Sequence, residues 1–362
     1  MALLLSEIQW GDPVLPEAHD AAWEAELKRR GVQVMEVDRR VAPVPWLREA
    51  AFESMNYAPV TLPDRLYRIG SMVTAQENAC RYCYGAMRAF MKVLGYSEAF
   101  IQQVERDAQL AELDDKERAY IAFCRSLARS RPRPAAAERE ALLAGGYTPA
   151  QIGELTFVIS LGCFFNRVTT LLACPPEQKL ERMASGPLRW ALALAMPLMK
   201  KLAPARPTQP LPERSALAAG AFGPILEPLA GLRAGSVMKA ALDGVFQTGT
   251  LSRSAKALIF AVVARTLGCP HCEAEAVRLL RDEGMSQAEI DSAIATLRCP
   301  GLAAREAGLP AWARDTVYYQ TPAAIQRSTR ALGDELGAAA LLEAIGAASL
   351  ANGTARLGML LR

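Results

Sequence analysis

Apolar residues recur every three or four positions through much of this chain, which is the period of a helix that buries one face. The segments 100–113 (FIQQVERDAQLAEL) and 275–284 (EAVRLLRDEG) show this period clearly, and few segments alternate as strands do. Ala, Leu, Arg and Glu, which are good helix formers, dominate the composition. The pattern therefore predicts an all-α fold.

Local signals predict where several helices begin and end. Ser97, Thr148 and Ser286 each precede a helical segment and can cap it, because their hydroxyl oxygens accept backbone N–H groups of the first turn. Gly95 and Gly284 stand where the preceding helix is expected to end in a left-handed residue.

These signals reveal an internal repeat. The stretch CRYCYGAMRAFMKVLGYSEAF begins at Cys80, and CPHCEAEAVRLLRDEGMSQAEI begins at Cys269. In both, eleven residues separate the second cysteine from a glycine, and a serine follows two positions later. An apolar helical segment precedes each motif, and an asparagine and an arginine occur in each downstream helix. Matching spacing with divergent side chains predicts tandem duplication of one helical unit.

The repeat predicts how the chain is divided. We expect an N-terminal extension at 1–44, a first helical unit at 45–185 and a second at 215–362. Between the units, residues 186–214 are rich in proline and are predicted to form a linker that contains an apolar helix, Trp190–Met199.

Charge and hydropathy exclude two classes of partner. The 362 residues carry a net charge of +3, without the concentrated basic face that nucleic-acid binding usually needs. The longest apolar run, Trp190–Met199, is about half the length that a membrane-spanning helix requires. The N-terminus lacks the features of an export signal, so we expect a cytoplasmic protein. In that reducing compartment, CxxC pairs indicate redox or metal chemistry more often than structural disulfides.

The second motif has the parts of a redox dithiol. Gly268 is predicted to end a helix, with Cys269 near the next N-cap and Pro270 at the first helical position. Cys272 then falls in the first turn, where free N–H groups and the helix dipole stabilise a thiolate. His271 can relay a proton near neutral pH.

The first motif is expected to be the weaker proton shuttle. Asn78 is the predicted N-cap there, which places Cys80 and Cys83 in the first turns. Tyr82 takes the place of the histidine, and a tyrosine is a poor base near pH 7.

Three alternatives to a helical redox dithiol remain open from the residues alone. Cys80, Cys83, Cys269 and Cys272 supply the four thiolates of a tetrahedral zinc site, and CPHC could also bind a metal with His271 as third ligand. CPHC also occurs in thioredoxin-like oxidants, where a strand precedes it, and ALIFAVVA (257–264) could form that strand. A non-catalytic helical scaffold that binds a ligand is the third alternative.

With these motifs, the sequence resembles the AhpD-like and carboxymuconolactone decarboxylase superfamily. The resemblance rests on the apolar helix that leads into each CxxC, the following LGYSEAF or EGMSQAEI turn, and the downstream FFNRV (164–168). It implies all-helical units that assemble as homo-oligomers. It also implies a thiol-dependent peroxidase or disulfide reductase that acts on a small hydroperoxide or disulfide with a dithiol electron donor. No cofactor is implied beyond the redox-active disulfide.

The resemblance also implies residue roles. Cys272 corresponds to the attacking thiolate, Cys269 to the resolving thiol and His271 to a relay histidine, with Cys83 and Cys80 in the same roles in the first unit.

Two relay positions depart from the family. Arg68 and Ala257 stand where the peroxidases have a glutamate, and Met87 and Ala276 where they have a histidine. A specialised activity on an unusual small molecule is therefore expected. The following residues are the candidate substrate contacts: Arg68, Phe164, Asn166 and Arg167.

Overall fold

The computed structural model describes residues 2–131, 133–134, 136–186, 211–247 and 249–361. These residues form nineteen α-helices and three short 3₁₀ turns, with no strand among them, so the all-α prediction is confirmed. The thioredoxin-like alternative is wrong, because residues 257–264 lie inside a helix. The helices are α1 Ala21–Arg29, α2 Glu36–Val41, α3 Pro45–Asn56, α4 Asp64–Glu77, α5 Arg81–Val93, α6 Glu98–Arg106, α7 Asp115–Arg129, α8 Ala136–Ala144, α9 Pro149–Leu171, α10 Gln178–Ser185, α11 Arg214–Ala218, α12 Gly223–Leu226, α13 Arg233–Gln247, α14 Arg253–Leu267, α15 Pro270–Asp282, α16 Gln287–Thr296, α17 Leu309–Asp315, α18 Pro322–Leu336 and α19 Ala338–Leu361.

Most of the predicted helix boundaries are confirmed. The hydroxyls of Ser97, Thr148 and Ser286 accept backbone N–H groups at the starts of α6, α9 and α16. Gly95 and Gly284 have φ values of 93° and 88°, in the left-handed region that favours glycine.

The prediction that Asn78 caps α5 is wrong. Asn78 ends α4 instead, Ala79 turns the chain with φ 48°, and Cys80 is itself the N-cap of α5. The Asn78 side chain is used elsewhere, because its amide donates to Asn166 Oδ1 at 3.0 Å. Cys80 therefore lies two positions closer to the start of the helix than an Asn78 cap would place it.

Helices recur along the chain at one fixed interval. Cys80 and Cys269 are 189 residues apart, and at this offset α4, α5, α6 and α9 start where α14, α15, α16 and α19 start. Helix α3 matches α13 to within one residue, and α7 and α8 correspond more loosely to α17 and α18. This recurrence favours the predicted duplication, while the exact unit boundaries stay a prediction.

The two halves pack through their last helices. Helices α9 and α19 lie along each other over most of their lengths. They approach closely at Gly353, where an added Cβ would lie 2.8 Å from the carbonyl oxygen of Ser160 and 3.1 Å from the Cβ of Phe164. Buried apolar side chains from both halves form one continuous cluster. The two halves therefore share a single core.

Two buried arginines tie each half to the other. Arg167 on α9 donates to the carbonyl oxygens of Thr316 and Val317 at 2.9 and 3.1 Å. Arg356 on α19, 189 residues later, donates from Nε and Nη2 to the carbonyl oxygen of Ala128 at 3.3 and 3.2 Å. Ala128 is likewise 189 residues before Val317, so the two arrangements are equivalent.

The N-terminal extension packs across both halves. The indole N–H of Trp10 donates to the carbonyl oxygen of Cys174 at 3.0 Å, and the Val14 N–H donates to that of Leu172 at 2.9 Å. The Gly11 N–H donates to Gln326 Oε1 on α18 at 2.8 Å.

The predicted linker falls largely on residues 187–210, and its apolar segment Trp190–Met199 lies outside the described residues. Among the described residues, every helix is too short or too polar to span a membrane, in agreement with the sequence prediction.

In each half, a buried carboxylate binds the segment that precedes α4 or α14, the helix before the dithiol. Glu154 on α9 accepts the hydroxyl of Tyr57 at 2.7 Å, the N–H of Val60 at 2.8 Å, and the N–H and hydroxyl of Thr61, both at 2.6 Å. Glu343, at the 189-residue offset on α19, accepts the N–H of Leu251 at 3.0 Å. Each carboxylate thus fixes the start of α4 or α14.

We predict that Glu154→Ala lowers the free energy of unfolding by about 3–5 kcal/mol, because the buried Tyr57 hydroxyl and three partly buried donors of Val60 and Thr61 lose one shared carboxylate. Urea denaturation followed by circular dichroism measures the change. Glu112→Ala, which alters an exposed glutamate on the same half, is the matched control and is expected to stay within about 0.5 kcal/mol of the parent chain. A loss below about 1 kcal/mol for Glu154→Ala would contradict the assignment.

Candidate functional site

The second CxxC forms the dithiol geometry that the sequence predicts. Gly268 ends α14 with φ 70°, Cys269 is the N-cap of α15, and Pro270 occupies the first helical position. The Sγ atoms of Cys269 and Cys272 lie 2.9 Å apart, and both residues are buried as free thiols. The pair is close enough for the two thiols to exchange a proton or to be oxidised together.

The two thiols of this pair differ in acidity. The hydrogen bond between the two thiols lowers the pKa of Cys269, and burial opposes this effect. Backbone N–H groups and the nearby Arg133 lower this pKa further. Burial and the adjacent Cys269 raise the pKa of Cys272 well above its usual value. The thiolate of the pair is therefore favoured on Cys269.

The first CxxC adds a hydroxyl to the same arrangement. Cys80 is the N-cap of α5, and its Sγ accepts the N–H of Cys83 at 3.4 Å. Thr169 on α9 places its Oγ1 3.1 Å from Cys80 Sγ and 3.3 Å from Cys83 Sγ. Both cysteines and the threonine are buried.

Acidity again falls on the first cysteine of the motif. Burial opposes ionisation of Cys80, but hydrogen bonds from Cys83, Thr169 and the helix backbone lower its pKa to about 7. Burial and the neighbouring Cys80 raise the pKa of Cys83 well above its usual value. In both motifs the more acidic thiol is the N-cap cysteine. Cys272 lies in the first turn of α15 as predicted, but burial and the neighbouring Cys269 raise its pKa, so the helix start does not favour a thiolate there.

The two middle residues of the motifs do not contact the sulfur atoms through their side chains. His271 is exposed and makes no side-chain hydrogen bond within the described residues. Tyr82 is buried and donates to Glu177 Oε1 at 2.7 Å, and burial raises its pKa well above the usual value. Neither side chain therefore acts as a base on a dithiol in this conformation, and the relay role of His271 stays a prediction.

Three of the four positions that lack relay residues carry apolar side chains, and the fourth is Arg68. Ala257 and Ala276 are fully buried, so these two positions supply no acid or base to the second dithiol. Glu275 is a nearby acidic residue, and its charge adds to the rise in the pKa of Cys272 that burial and Cys269 cause. Near the first dithiol, Glu77 is held in ion pairs with Arg125 and Arg129.

The candidate substrate residues are dispersed. Arg68 lies over the rings of Tyr67 and Phe90 and pairs with Asp64 at 3.2 Å, beside a cavity lined by neither dithiol. Phe164 packs against Gly353 in the α9–α19 contact.

The other two candidates bind protein groups near the first dithiol. Asn166 accepts from Asn78, and Arg167 donates to Asn78 Oδ1 at 2.7 Å as well as to the α17 end. Their polar groups stabilise the fold here, and a role in substrate binding stays a prediction.

The described residues contain no group of three or more His, Cys, Asp or Glu side chains that could hold a metal ion. This finding does not support the zinc alternative in either form. One form places a single ion among Cys80, Cys83, Cys269 and Cys272, and the other adds His271 to the second pair as third ligand. The two pairs are separated because they lie on equivalent but distinct helices, α5 and α15.

A cavity of about 610 Å³ lies between the two halves and reaches the residues that precede the first dithiol, although neither Cys80 nor Cys83 lines it. Asn78 and Ala79, the residues that directly precede Cys80, line it together with Arg131, Tyr318 and Tyr319. The Tyr319 hydroxyl donates to the carbonyl oxygen of Asn78 at 2.7 Å. Just as Arg133 approaches Cys269 from the first half, these tyrosines approach the first dithiol from the second. Each dithiol thus lies beside a loop of the opposite half.

Sequence reasoning missed two residues that contact the sulfur atoms, Thr169 and Gly358. An added Cβ on Gly358 would lie 2.7 Å from Cys272 Sγ and 3.0 Å from Cys269 Sγ. The two residues are 189 positions apart, so extending the offset of the CxxC repeat along α9 and α19 would have paired them.

Comparison with known proteins identifies one segment. Residues 234–315, which include the second dithiol and its flanking helices, match the model of the carboxymuconolactone decarboxylase family. Neither the curated proteins nor the solved structures contain a significant match to the chain.

We predict that alkylation of Cys80 by iodoacetamide rises with pH to a plateau, with a midpoint near the pKa of about 7. The thiolate is the reactive form, and it accumulates as the pH increases through the pKa. Peptide mass spectrometry after short exposures at each pH gives the profile, and Cys124 is the internal control because burial raises its pKa. A Cys80 midpoint near 8.5, the ordinary value for cysteine, would contradict the prediction.

Proposed function

We propose that this chain, a carboxymuconolactone decarboxylase family member through residues 234–315, is a thiol-dependent oxidoreductase that uses both of its CxxC pairs. The observation that carries the proposal is the 2.9 Å contact between the Sγ atoms of Cys269 and Cys272 at a helix start, in a buried pair with one acidified thiol. The first pair repeats this arrangement at the equivalent helix start. A buried dithiol of unequal acidity is suited to two-electron redox chemistry.

The proposed reaction with a hydroperoxide proceeds in two steps. A thiolate attacks the terminal peroxide oxygen, the O–O bond breaks, and the alkoxide that leaves takes up a proton to give an alcohol and a cysteine sulfenic acid. The second thiol then attacks the sulfenic sulfur, and the hydroxide that leaves is protonated to water as the disulfide forms. An external dithiol donor reduces the disulfide by exchange and is itself oxidised.

We assign the attacking thiolate to the N-cap cysteines, Cys269 and Cys80. Family resemblance gives this role to Cys272 and Cys83, but their pKa values are raised by burial and by the neighbouring thiol. Cys269 and Cys80 receive the hydrogen bonds that stabilise a thiolate. Cys272 and Cys83 then act as resolving thiols.

The replacement of the family's relay residues by Ala257 and Ala276 affects the expected rate. Positioned acid–base groups typically contribute about 10²–10⁴ to the rate of proton transfer steps. With Ala257 and Ala276 buried where such groups would act, we expect slow turnover of simple hydroperoxides. A specialised small hydroperoxide or disulfide is the proposed substrate, and the cavity between the halves reaches Asn78 and Ala79, directly before Cys80.

The assembly and location of the protein are also proposals. The 189-residue recurrence of helices favours two duplicated units, and related single units would pack as α9 and α19 do here. We further propose a homo-oligomer in the cytoplasm, where a dithiol donor keeps the cysteines reduced.

We predict that the purified chain consumes an organic hydroperoxide in the presence of a dithiol donor, and that Cys269→Ser together with Cys80→Ser abolishes this activity. Removing the attacking thiolates leaves the remaining cysteines with raised pKa values and little thiolate at neutral pH. Peroxide loss in a steady-state assay measures the effect, and Cys299→Ser, which alters a cysteine outside both motifs, is the matched control.

The same variants test the role assignment. In Cys272→Ser, the sulfenic acid formed at Cys269 has no resolving partner and should be trapped by dimedone; in Cys269→Ser, no adduct is expected. The reverse pattern would restore the roles implied by family resemblance. If the double variant retained all peroxide- and disulfide-dependent activity, the oxidoreductase proposal would be wrong, and a non-catalytic scaffold would be the better description.

A further inference from the structure

We propose that Thr169 is a catalytic residue of the first dithiol, where its hydroxyl stabilises the thiolate, and that Gly358 leaves the second dithiol without this group. The two dithiols of one chain therefore differ in acidity and in the ease with which they are reduced. The part played by Thr169 in turnover rests on the proposed function, whereas its effect on the sulfur atoms does not.

The Thr169 hydroxyl lies within hydrogen-bond distance of several groups. Its Oγ1 lies 3.1 Å from Cys80 Sγ and 3.3 Å from Cys83 Sγ. It also lies 3.1 Å from the carbonyl oxygen of Phe165, one turn earlier in α9. A hydroxyl carries one hydrogen and two lone pairs, so it can donate to only one of these groups at a time.

The preferred partner changes with the state of the sulfur atoms. When both cysteines are thiols, their S–H groups donate to Thr169, and the hydroxyl hydrogen points to Phe165. When Cys80 ionises, the hydroxyl turns and donates to the sulfur anion, which forms a stronger, charge-assisted bond. In the disulfide neither sulfur is charged, and the hydroxyl returns to the carbonyl. Thr169 therefore favours the thiolate over both the thiol and the disulfide.

At the position equivalent to Thr169, the second dithiol has no hydroxyl group that could rotate towards the sulfur atoms. Gly358 occupies the equivalent position, and an added Cβ would lie 2.7 Å from Cys272 Sγ, closer than real Cβ atoms approach other atoms. Cys272 Sγ instead donates to the backbone carbonyl oxygen of Thr354 at 3.5 Å. A carbonyl oxygen can only accept, so it favours the protonated thiol at Cys272.

The contrast has a redox consequence. Stabilising the thiolate of a reduced pair makes its disulfide the stronger oxidant. We expect the disulfide of Cys80 and Cys83 to be reduced more readily by an external dithiol than that of Cys269 and Cys272. The first pair then cycles under conditions that leave the second pair oxidised for longer.

The test compares Thr169→Val, which removes the hydroxyl at nearly constant volume, with Thr169→Ser, which retains it. The full-length chain is alkylated with isotope-coded iodoacetamide over a pH series, and peptide mass spectrometry reads Cys80 and Cys269 in the same sample. For Thr169→Val, we expect the Cys80 midpoint to rise by about one to two pH units, the value of one charge-assisted hydrogen bond. The Cys269 midpoint should stay unchanged, and Thr169→Ser should match the parent chain.

Two results would overturn the proposal. One is an unchanged Cys80 midpoint in Thr169→Val; the other is an equal shift in Thr169→Val and Thr169→Ser, which would identify packing rather than the hydroxyl as the cause. Thermal unfolding monitors the fold of each variant, and Thr169→Ala replaces the valine variant if the latter does not fold.

The alkylation experiment contains no substrate, so it is independent of turnover. A shifted Cys80 midpoint in a chain that consumes no hydroperoxide or disulfide would refute the proposed function and support the inference. An active chain with an unshifted midpoint would do the reverse. Equilibration of the parent chain and Thr169→Val with a graded dithiol–disulfide buffer adds a second readout. In the valine variant, the Cys80–Cys83 disulfide should persist to more reducing mixtures.

Discussion

The close packing of α9 against α19 is the constraint on which the rest of this structure depends. The two helices join the halves into one core, and their contact at Gly353 brings the backbones together too closely for a larger residue. Their inward faces also carry the groups that fix each half: a carboxylate near the start of each helix and an arginine further along. Because these groups are anchored on the same rigid pair, the residues that contact the sulfur atoms are held in fixed positions relative to both dithiols.

The buried arginines show how completely the halves depend on each other. Arg167 and Arg356 each donate to carbonyl oxygens of the opposite half and to an asparagine of their own half, and burial lowers the pKa of Arg356. Burying a guanidinium without such acceptors costs free energy. Each half alone would therefore leave its arginine exposed to solvent or buried without acceptors. The same interdependence applies to the dithiols, each of which lies beside a loop from the other half.

Much of the fold could be read from the sequence because the signals are local. Helical periodicity, the caps at Ser97 and Ser286, and the glycine after each dithiol helix depend on neighbouring residues only. The prediction that Asn78 caps α5 failed because it also considered neighbouring residues only. The Asn78 side chain instead forms long-range hydrogen bonds with residues of α9. The cysteines were predictable from the motif. Which thiol is the more acidic was not, since that depends on burial, on the contact between the two thiols and on backbone N–H groups at the helix start. Thr169 and Gly358 are common residue types in an apolar helix, and only the three-dimensional structure shows that they lie beside the sulfur atoms.

The difference between Thr169 and Gly358 shows that the two dithiol sites can evolve independently. In an assembly of identical chains, every copy of a site carries the same residues, and one substitution alters all of them. Here the two positions that face the dithiols, Thr169 and Gly358, are encoded separately within one chain. Selection can therefore adjust one dithiol while the other is left untouched, and a single polypeptide can keep two sulfur pairs of different character.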